Sequence, residues 1–242
     1  MLESPLEQFA IRPLIPIHIG GVDISFSQSA LWMGIAVVAA TLLMTLGMRR
    51  KAMVPGRWQN VSEILYEFVF GMVNDNLGHD GKKYFPFVFS VFMIVLMGNL
   101  LGLIPYAFTF TSHIIVTGAL ALTVFAVATG VGIACHGLHF FSLFLPRGLP
   151  WMLAPLIVAI EVVSYLSRPI SLSVRLFANM VAGHTMLKVF AGFSVMMGVV
   201  LGVLPMVLNV ALYGLEIMIA CIQAYVFAIL TCLYLKDAIE LH

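Results

Sequence analysis

Long apolar segments separated by short polar connections dominate the chain. Residues 29–48, 86–105 and 114–134 each have the length of one membrane span, since a bilayer core of about 30 Å takes roughly 20 helical residues. Residues 84–146 contain no Asp, Glu, Lys or Arg, which leaves room for the second and third spans. The basic cluster at residues 49–51 closes the first span. Because Lys and Arg favour the cytoplasmic side, we expect the N-terminus outside.

Two further segments flank the first span. Residues 1–28 are mixed in polarity and rich in Pro and Gly, so we expect an extended leader or interfacial segment on the outer side. Residues 60–77 repeat apolar positions every three or four residues, which predicts an amphipathic helix. Asn60 and Glu63 resemble a capping box at its start. This helix is too polar to span, and we expect it along the cytoplasmic surface.

Two long apolar tracts, residues 151–190 and 198–236, complete the chain. A helix of about 40 residues is ~60 Å long, twice the bilayer core. Each tract is therefore either two short spans with a tight turn or one long tilted helix. A turn would bury Arg168 or Arg175, so we favour a hairpin of two long, steeply tilted helices that closes around residues 191–202. The predicted fold is an all-α polytopic membrane protein with a cytoplasmic C-terminus.

Composition supports the membrane class. The chain is 62% hydrophobic and 10% charged, with a mean hydropathy of +1.06, whereas soluble domains carry about 25% charged residues. Its formal net charge of +1 argues against nucleic acid as a partner. The three cysteines lie in apolar surroundings and are expected to be free thiols.

The first long tract carries embedded polar residues. Glu161, Arg168 and Arg175 are spaced by seven and recur on one side of a helix, and Asn179 follows one turn later. His184 lies nine residues after Arg175 and faces the other way. An Arg near a bilayer centre costs roughly 2.5–3.5 kcal/mol on insertion scales, so such residues usually carry function. A fixed cation on one side and a titratable imidazole on the other indicate proton handling.

The second long tract has its own polar face. Asn209, Glu216 and Gln223 are spaced by seven. A Glu that faces His184 across the hairpin can share a proton with it, and the cost of burying Glu216 favours function over packing. For Gln223, an interhelical hydrogen bond and a functional role are both open.

Four motifs together are similar to one known family, subunit a of the F-type ATP synthase. They are RPISLSVRLFANMVAGH around Arg175, LEIMIACIQAYVFAILTCLYL around Glu216, GNLLGLIPY and NVSEILYEFV. The resemblance implies a stator beside a rotating ring of c subunits, each with one membrane carboxylate, and two offset half-channels for protons. It also implies b-type peripheral stalk subunits and the rest of the F1Fo complex as partners. The location would be the bacterial inner membrane, or alternatively the mitochondrial inner membrane.

The resemblance assigns Arg175 as the essential stator arginine, with Asn179 and Gln223 as polar neighbours that face the ring. Arg stays protonated at physiological pH and cannot relay a proton. It can displace the proton from a passing rotor carboxylate by favouring the ionised form. It also blocks a direct leak between the half-channels, as an Arg does in other pores.

The half-channel residues follow from the same resemblance. His184 and Glu216 would line the outer half-channel, and Glu161 with Ser171 would line the exit towards the cytoplasm. Many bacterial members have a carboxylate where His184 stands and a histidine where Glu216 stands. The exchanged pair is similar to mitochondrial-type members and indicates an alphaproteobacterial or mitochondrial relative.

Other functions leave weaker signals. The chain has no GxxxxGK[ST] phosphate loop, so we expect no catalytic site for ATP here. A self-contained proton-coupled transporter is the main alternative, but no inverted repeat is visible. An intramembrane metal hydrolase would need more than Cys135, His136, His139 and Glu161, which lack a metal-binding pattern. We therefore expect neither metal nor cofactor.

Overall fold

The fold is a bundle of helices preceded by short strands. A computed structural model describes residues 9–10, 13–16, 18–19, 22–23, 25–49, 56–78, 81–104, 107–137, 140 and 154–240. Its α-helices are α1 (Gln28–Gly47), α2 (Arg57–Leu77), α3 (Gly81–Gly102), α4 (Ile114–His136), α5 (Ala154–Met196), α6 (Gly198–Leu201) and α7 (Val203–Ile239). A short 3-10 turn, Phe110–Ser112, precedes α4. The all-α polytopic class is confirmed.

Two nested pairs of short antiparallel strands lead into α1. The strands are β1 (Pro13–Ile15), β2 (His18–Ile19), β3 (Val22–Asp23) and β4 (Phe26–Ser27). The outer pair joins β1 to β4 and the inner pair joins β2 to β3. Ser27 then caps α1, because its Oγ accepts the Ala30 N–H at 3.4 Å. The sequence predicted an extended segment here, but not the strand pairing.

Five of the described helices are long and apolar enough to cross a membrane, namely α1, α3, α4, α5 and α7. Large apolar side chains on them lie open, with Ile115 81% and Val195 78% exposed. Exposing such an apolar surface to water costs free energy, whereas exposing it to the acyl chains of lipid does not. At 43 residues, α5 is about 65 Å long. It therefore tilts steeply or projects well beyond a core of ~30 Å.

The start of α2 corrects one local prediction. The helix begins at Arg57, so Asn60 already lies in its first turns and does not cap it. Gly56 occupies the capping position. Glu63 does not reach back to the backbone, because its Oε1 accepts from Nε2 of Gln59 at 2.8 Å. The proposed capping box is therefore wrong.

The turn between α5 and α7 depends on two glycines. Gly198 has a φ of +73°, a left-handed conformation that L side chains rarely adopt. A Cβ on Gly202 would collide with the carbonyl oxygen of Ser194. The Ser194 hydroxyl donates to the Gly202 carbonyl at 2.7 Å and closes the turn. The long helices thus form a hairpin within the region that the sequence indicated.

Helix α7 lies at the centre of the bundle and packs against α2, α3, α4 and α5. Its buried stripe is built largely from small residues, which let neighbouring helices approach closely. Glu216 and Gln223 lie on the same stripe, each only 2% exposed. Packing of the hairpin therefore carries both polar side chains into the core. The fully buried alanines of α7 are Ala220, Ala224 and Ala228.

Candidate functional site

A buried acid and an imidazole meet near the hairpin turn. His184 Nδ1 of α5 lies 3.2 Å from Glu216 Oε1 of α7, at ion-pair distance but outside hydrogen-bond geometry. The His184 side chain is 11% exposed and that of Glu216 is 2% exposed. Gly183 makes the approach feasible, because a Cβ there would lie 2.7 Å from Glu216 Oε1. The carboxyl group thus packs directly against the α5 backbone.

A third side chain reaches this pair from the segment after α3. Thr109 Oγ1 lies 2.8 Å from His184 Nε2. The same hydroxyl donates to the Gly102 carbonyl at 3.1 Å, so Thr109 is tied to the end of α3. The sequence did not indicate Thr109, since no periodic pattern marks a residue in a turn as the neighbour of a helical residue 75 positions away.

A cavity opens beside the imidazole. Its volume is about 220 Å³, room for several water molecules at roughly 30 Å³ each. Thr109, His184 and Lys188 supply much of its polar wall, and Tyr213 lines it from α7. The Tyr213 hydroxyl donates to the Leu103 carbonyl at 3.0 Å and holds α7 to α3. The cavity gives water a place next to His184.

A second polar contact joins the long helices further along the hairpin. Asn179 Nδ2 donates to Gln223 Oε1 at 3.0 Å. Gln223 Nε2 is buried and has no partner among the described residues. The interhelical hydrogen bond considered for Gln223 is therefore present in the structure.

Arg175 lies on a different face of α5. Its side chain is exposed and makes no hydrogen bond or ion pair with the described part of the chain. Along the helix axis it is about 14 Å from His184. Ser171, Ala178 and Ala182 are exposed around it, so small side chains border the guanidinium. Glu161 is partly buried on the same helix.

Arg168 has a partner that the sequence did not indicate. Its Nη1 donates to Asp237 Oδ2 of α7 at 2.8 Å. The guanidinium lies 5.5 Å from the ring centres of Tyr165 and Tyr234. The hydroxyl groups of Tyr165 and Thr129 are 2.6 Å apart, which links α4 to the cluster. Heptad spacing placed Arg168 on the side of Arg175 but did not show that its guanidinium contacts α7.

The weak metal pattern lies partly outside the described residues, because His139 is not among them. Within the described ranges, no three His, Cys, Asp or Glu side chains gather into a group that could hold a metal ion.

The chain matches known proteins over nearly its whole length. The family described as ATP synthase A chain matches residues 30–236. The ATP synthase subunit a of Rhodospirillum rubrum is 53% identical over 241 residues, covering 100% of both chains. That of Parvibaculum lavamentivorans is 57% identical over 243 residues, covering 98% of this chain and 94% of its own. That of Pelagibacter ubique is 53% identical over 243 residues, covering 100% of both. On these matches, the chain belongs to the ATP synthase subunit a family.

Proposed function

We propose that this chain is the proton-conducting stator subunit of the ATP synthase Fo sector, which couples proton flow to ATP synthesis. The observation that carries the proposal is the buried His184–Glu216 pair beside a cavity, with Arg175 exposed on another face of the same helix. A self-contained transporter is not favoured, because the chain belongs to the subunit a family over nearly its full length.

Protons would arrive from the outer side through the cavity. The carboxyl group of Glu216 and the imidazole of His184 are the titratable groups in direct contact there. One imidazole and one carboxylate can hold a shared proton and pass it on, so the two groups would titrate as a coupled pair. Asn179 and Gln223 extend the polar contact along the hairpin towards Arg175.

The exposed face of Arg175 would meet the ring of c subunits. Small neighbours at Ser171 and Ala178 leave room for a rotor helix to approach closely. A permanently charged guanidinium favours the ionised form of a passing rotor carboxylate and drives its proton off. The same charge blocks a direct leak between the half-channels. Glu161 and Ser171 would line the exit, towards the end of α5 remote from His184.

Orientation and partners follow from this assignment. The protein is a multi-pass subunit of the bacterial inner membrane and part of the F1Fo complex. We propose that its N-terminus lies outside and its C-terminus in the cytoplasm, because the basic cluster at residues 49–51 favours the cytoplasmic side of the membrane. The c-ring and b-type stalk subunits would be its direct partners, and ATP chemistry would belong to F1 rather than to a catalytic site in this chain.

Arg175→Ala in inverted membrane vesicles tests the proposal, with assembly checked by the ATPase content of the vesicles. We expect ATP-driven acidification to be lost and passive proton leak to rise. Arg168→Ala is the matched control, since it removes an arginine of the same helix that is bound to Asp237. Acidification should persist in that variant. Normal pumping by Arg175→Ala would contradict the assignment at its centre.

A further inference from the structure

We infer that Thr109 is a positioning residue that fixes the tautomer of His184, so that Nδ1 is the nitrogen that exchanges a proton with Glu216. The inference deepens the proposed function and rests on it. It assigns a role in proton uptake to a side chain outside the two long helices.

The direction of two hydrogen bonds decides the tautomer. A threonine hydroxyl has one proton to donate and lone pairs to accept with. The Gly102 carbonyl can only accept and lies 3.1 Å from Thr109 Oγ1, so we assign the Thr109 proton to it. At 2.8 Å from the same oxygen, His184 Nε2 must then be the donor. A neutral imidazole carries a single N–H, which leaves the lone pair on Nδ1.

The unprotonated Nδ1 then lies beside the carboxyl group, 3.2 Å from Glu216 Oε1, and a small rotation of either side chain brings the two atoms into line for proton transfer. A proton on Oε1 can move to Nδ1, which leaves a carboxylate and an imidazolium, and the reverse transfer restores both neutral groups. In the other tautomer, the Nδ1–H would face Glu216 and the Nε2 lone pair would oppose the oxygen of Thr109. That arrangement offers Glu216 no acceptor.

The position of Thr109 is set by the backbone around it rather than by the imidazole. Thr109 is 6% exposed. Its carbonyl accepts the Ser112 N–H at 3.1 Å, which closes the turn before α4. A Cβ on Gly102 would lie 2.7 Å from Thr109 Oγ1, so glycine is required where the hydroxyl meets α3. The charged groups near the ring are Glu216 on α7 and Lys188 on α5.

Nitrogen-15 NMR of histidine-labelled, fully assembled complex in lipid vesicles measures the tautomer directly. The signal of His184 is identified by its loss in His184→Asn, and the pH is raised until the ring is neutral. We expect Nε2 to carry the proton and Nδ1 to carry none. A protonated Nδ1 in the unmodified protein would overturn the inference, even if no Thr109 variant assembles.

Thr109→Val and Thr109→Ser separate positioning from packing. Valine keeps the shape but removes the acceptor, so both tautomers should appear. With both tautomers populated about equally, passive proton conduction through F1-depleted vesicles should fall roughly twofold, in proportion to the fraction with an unprotonated Nδ1. Serine keeps the hydroxyl and should keep both the tautomer and the rate. An unchanged tautomer or an unchanged rate in Thr109→Val contradicts the inference.

His184→Asn distinguishes a failure of this inference from a failure of the proposed function. If His184→Asn conducts normally, the proposed function fails at His184. If His184→Asn blocks conduction while Thr109→Val keeps both its tautomer and its rate, the proposed function stands and the role of Thr109 alone is wrong.

Discussion

Two acid–base pairs join α5 to α7, and they differ in every respect that matters for proton transfer. The His184–Glu216 pair is buried, lies next to a cavity and lacks full hydrogen bonding. The Arg168–Asp237 pair is 30% and 46% exposed, bonded at 2.8 Å and flanked by two tyrosine rings. The first pair has an exchangeable proton and few fixed partners. The second has a permanent cation held from several sides.

The difference indicates a division of labour along one hairpin. Because Arg stays protonated, Arg168 and Asp237 cannot trade a proton in the way that an imidazole and a carboxyl group can. Their contacts instead tie the far end of α5 to the end of α7 and, through Tyr165 and Thr129, to α4. We interpret the first pair as a proton relay and the second as a structural tie.

Glu216→Gln should have the largest effect, because it removes the acid of the buried pair. The amide keeps the shape of the side chain but cannot exchange a proton, so proton uptake should fall about a hundredfold or more, as for the loss of a positioned acid–base group. ATP-driven acidification of vesicles measures the loss, and the amount of assembled complex should stay normal. The matched control combines His184→Glu with Glu216→His, which restores one imidazole and one carboxylate and should recover part of the rate. Unchanged pumping by Glu216→Gln would contradict the relay.

Asn179→Leu tests the contact between the two pairs. It removes the donor to Gln223 Oε1 and leaves a buried amide oxygen without a partner. Such a loss costs about 1–3 kcal/mol, so the thermal midpoint of the purified complex should fall. Adding Gln223→Leu removes the orphaned amide, and the double variant should cost less than the two single variants together. Strictly additive costs would show that the amides do not act as a unit.

The hairpin explains which parts of the site were visible in the sequence. His184 precedes Gly198 by as many residues as Glu216 follows Gly202, so the two face each other once the turn is placed. Asn179 and Gln223 are nested around the same turn in a similar way. Heptad spacing of costly polar residues and the length of the tracts therefore predicted that Glu216 could face His184, whereas the pairing of Asn179 with Gln223 was not predicted.

Other parts of the site could not be predicted from the sequence, for physical reasons. The contact of Thr109 depends on how the segment after α3 folds back onto α5, and no local pattern encodes it. Heptad spacing also gave no partner for Arg168, since a long flexible side chain can reach the counter-charge of Asp237.

Arg168→Lys sharpens the other half of the comparison. Lysine keeps the charge but loses the planar group that lies between Tyr165 and Tyr234. Water screens this partly exposed pair, so we expect a loss of stability of about 1 kcal/mol. Differential scanning calorimetry of the complex should detect it, and proton conduction should stay within about twofold of the original rate. A collapse of conduction in assembled Arg168→Lys complex would make this pair part of the relay as well.

His113→Gln tests whether a buried imidazole contributes to proton conduction without a neighbouring carboxylate. His113 precedes α4, stacks on Phe108 at 5.2 Å, and its buried Nε2 has no partner among the described residues. Burial lowers the pKa of His113 below its ordinary value of 6.5. At a pH well above 6.5 the ring is neutral in both the folded and unfolded states and contributes nothing to the pH dependence of stability. Below pH 6.5, the unfolded chain binds a proton at His113 more readily than the folded chain does, so the free energy of unfolding declines as the pH falls.

The variant should remove this small pH dependence of the thermal midpoint and leave proton conduction unchanged. His184→Asn is the matched contrast, because it removes the imidazole that does face a carboxyl group. If His113→Gln slowed conduction as much as His184→Asn does, pairing with Glu216 would not be what distinguishes the relay, and a buried imidazole anywhere at this end of the bundle would serve.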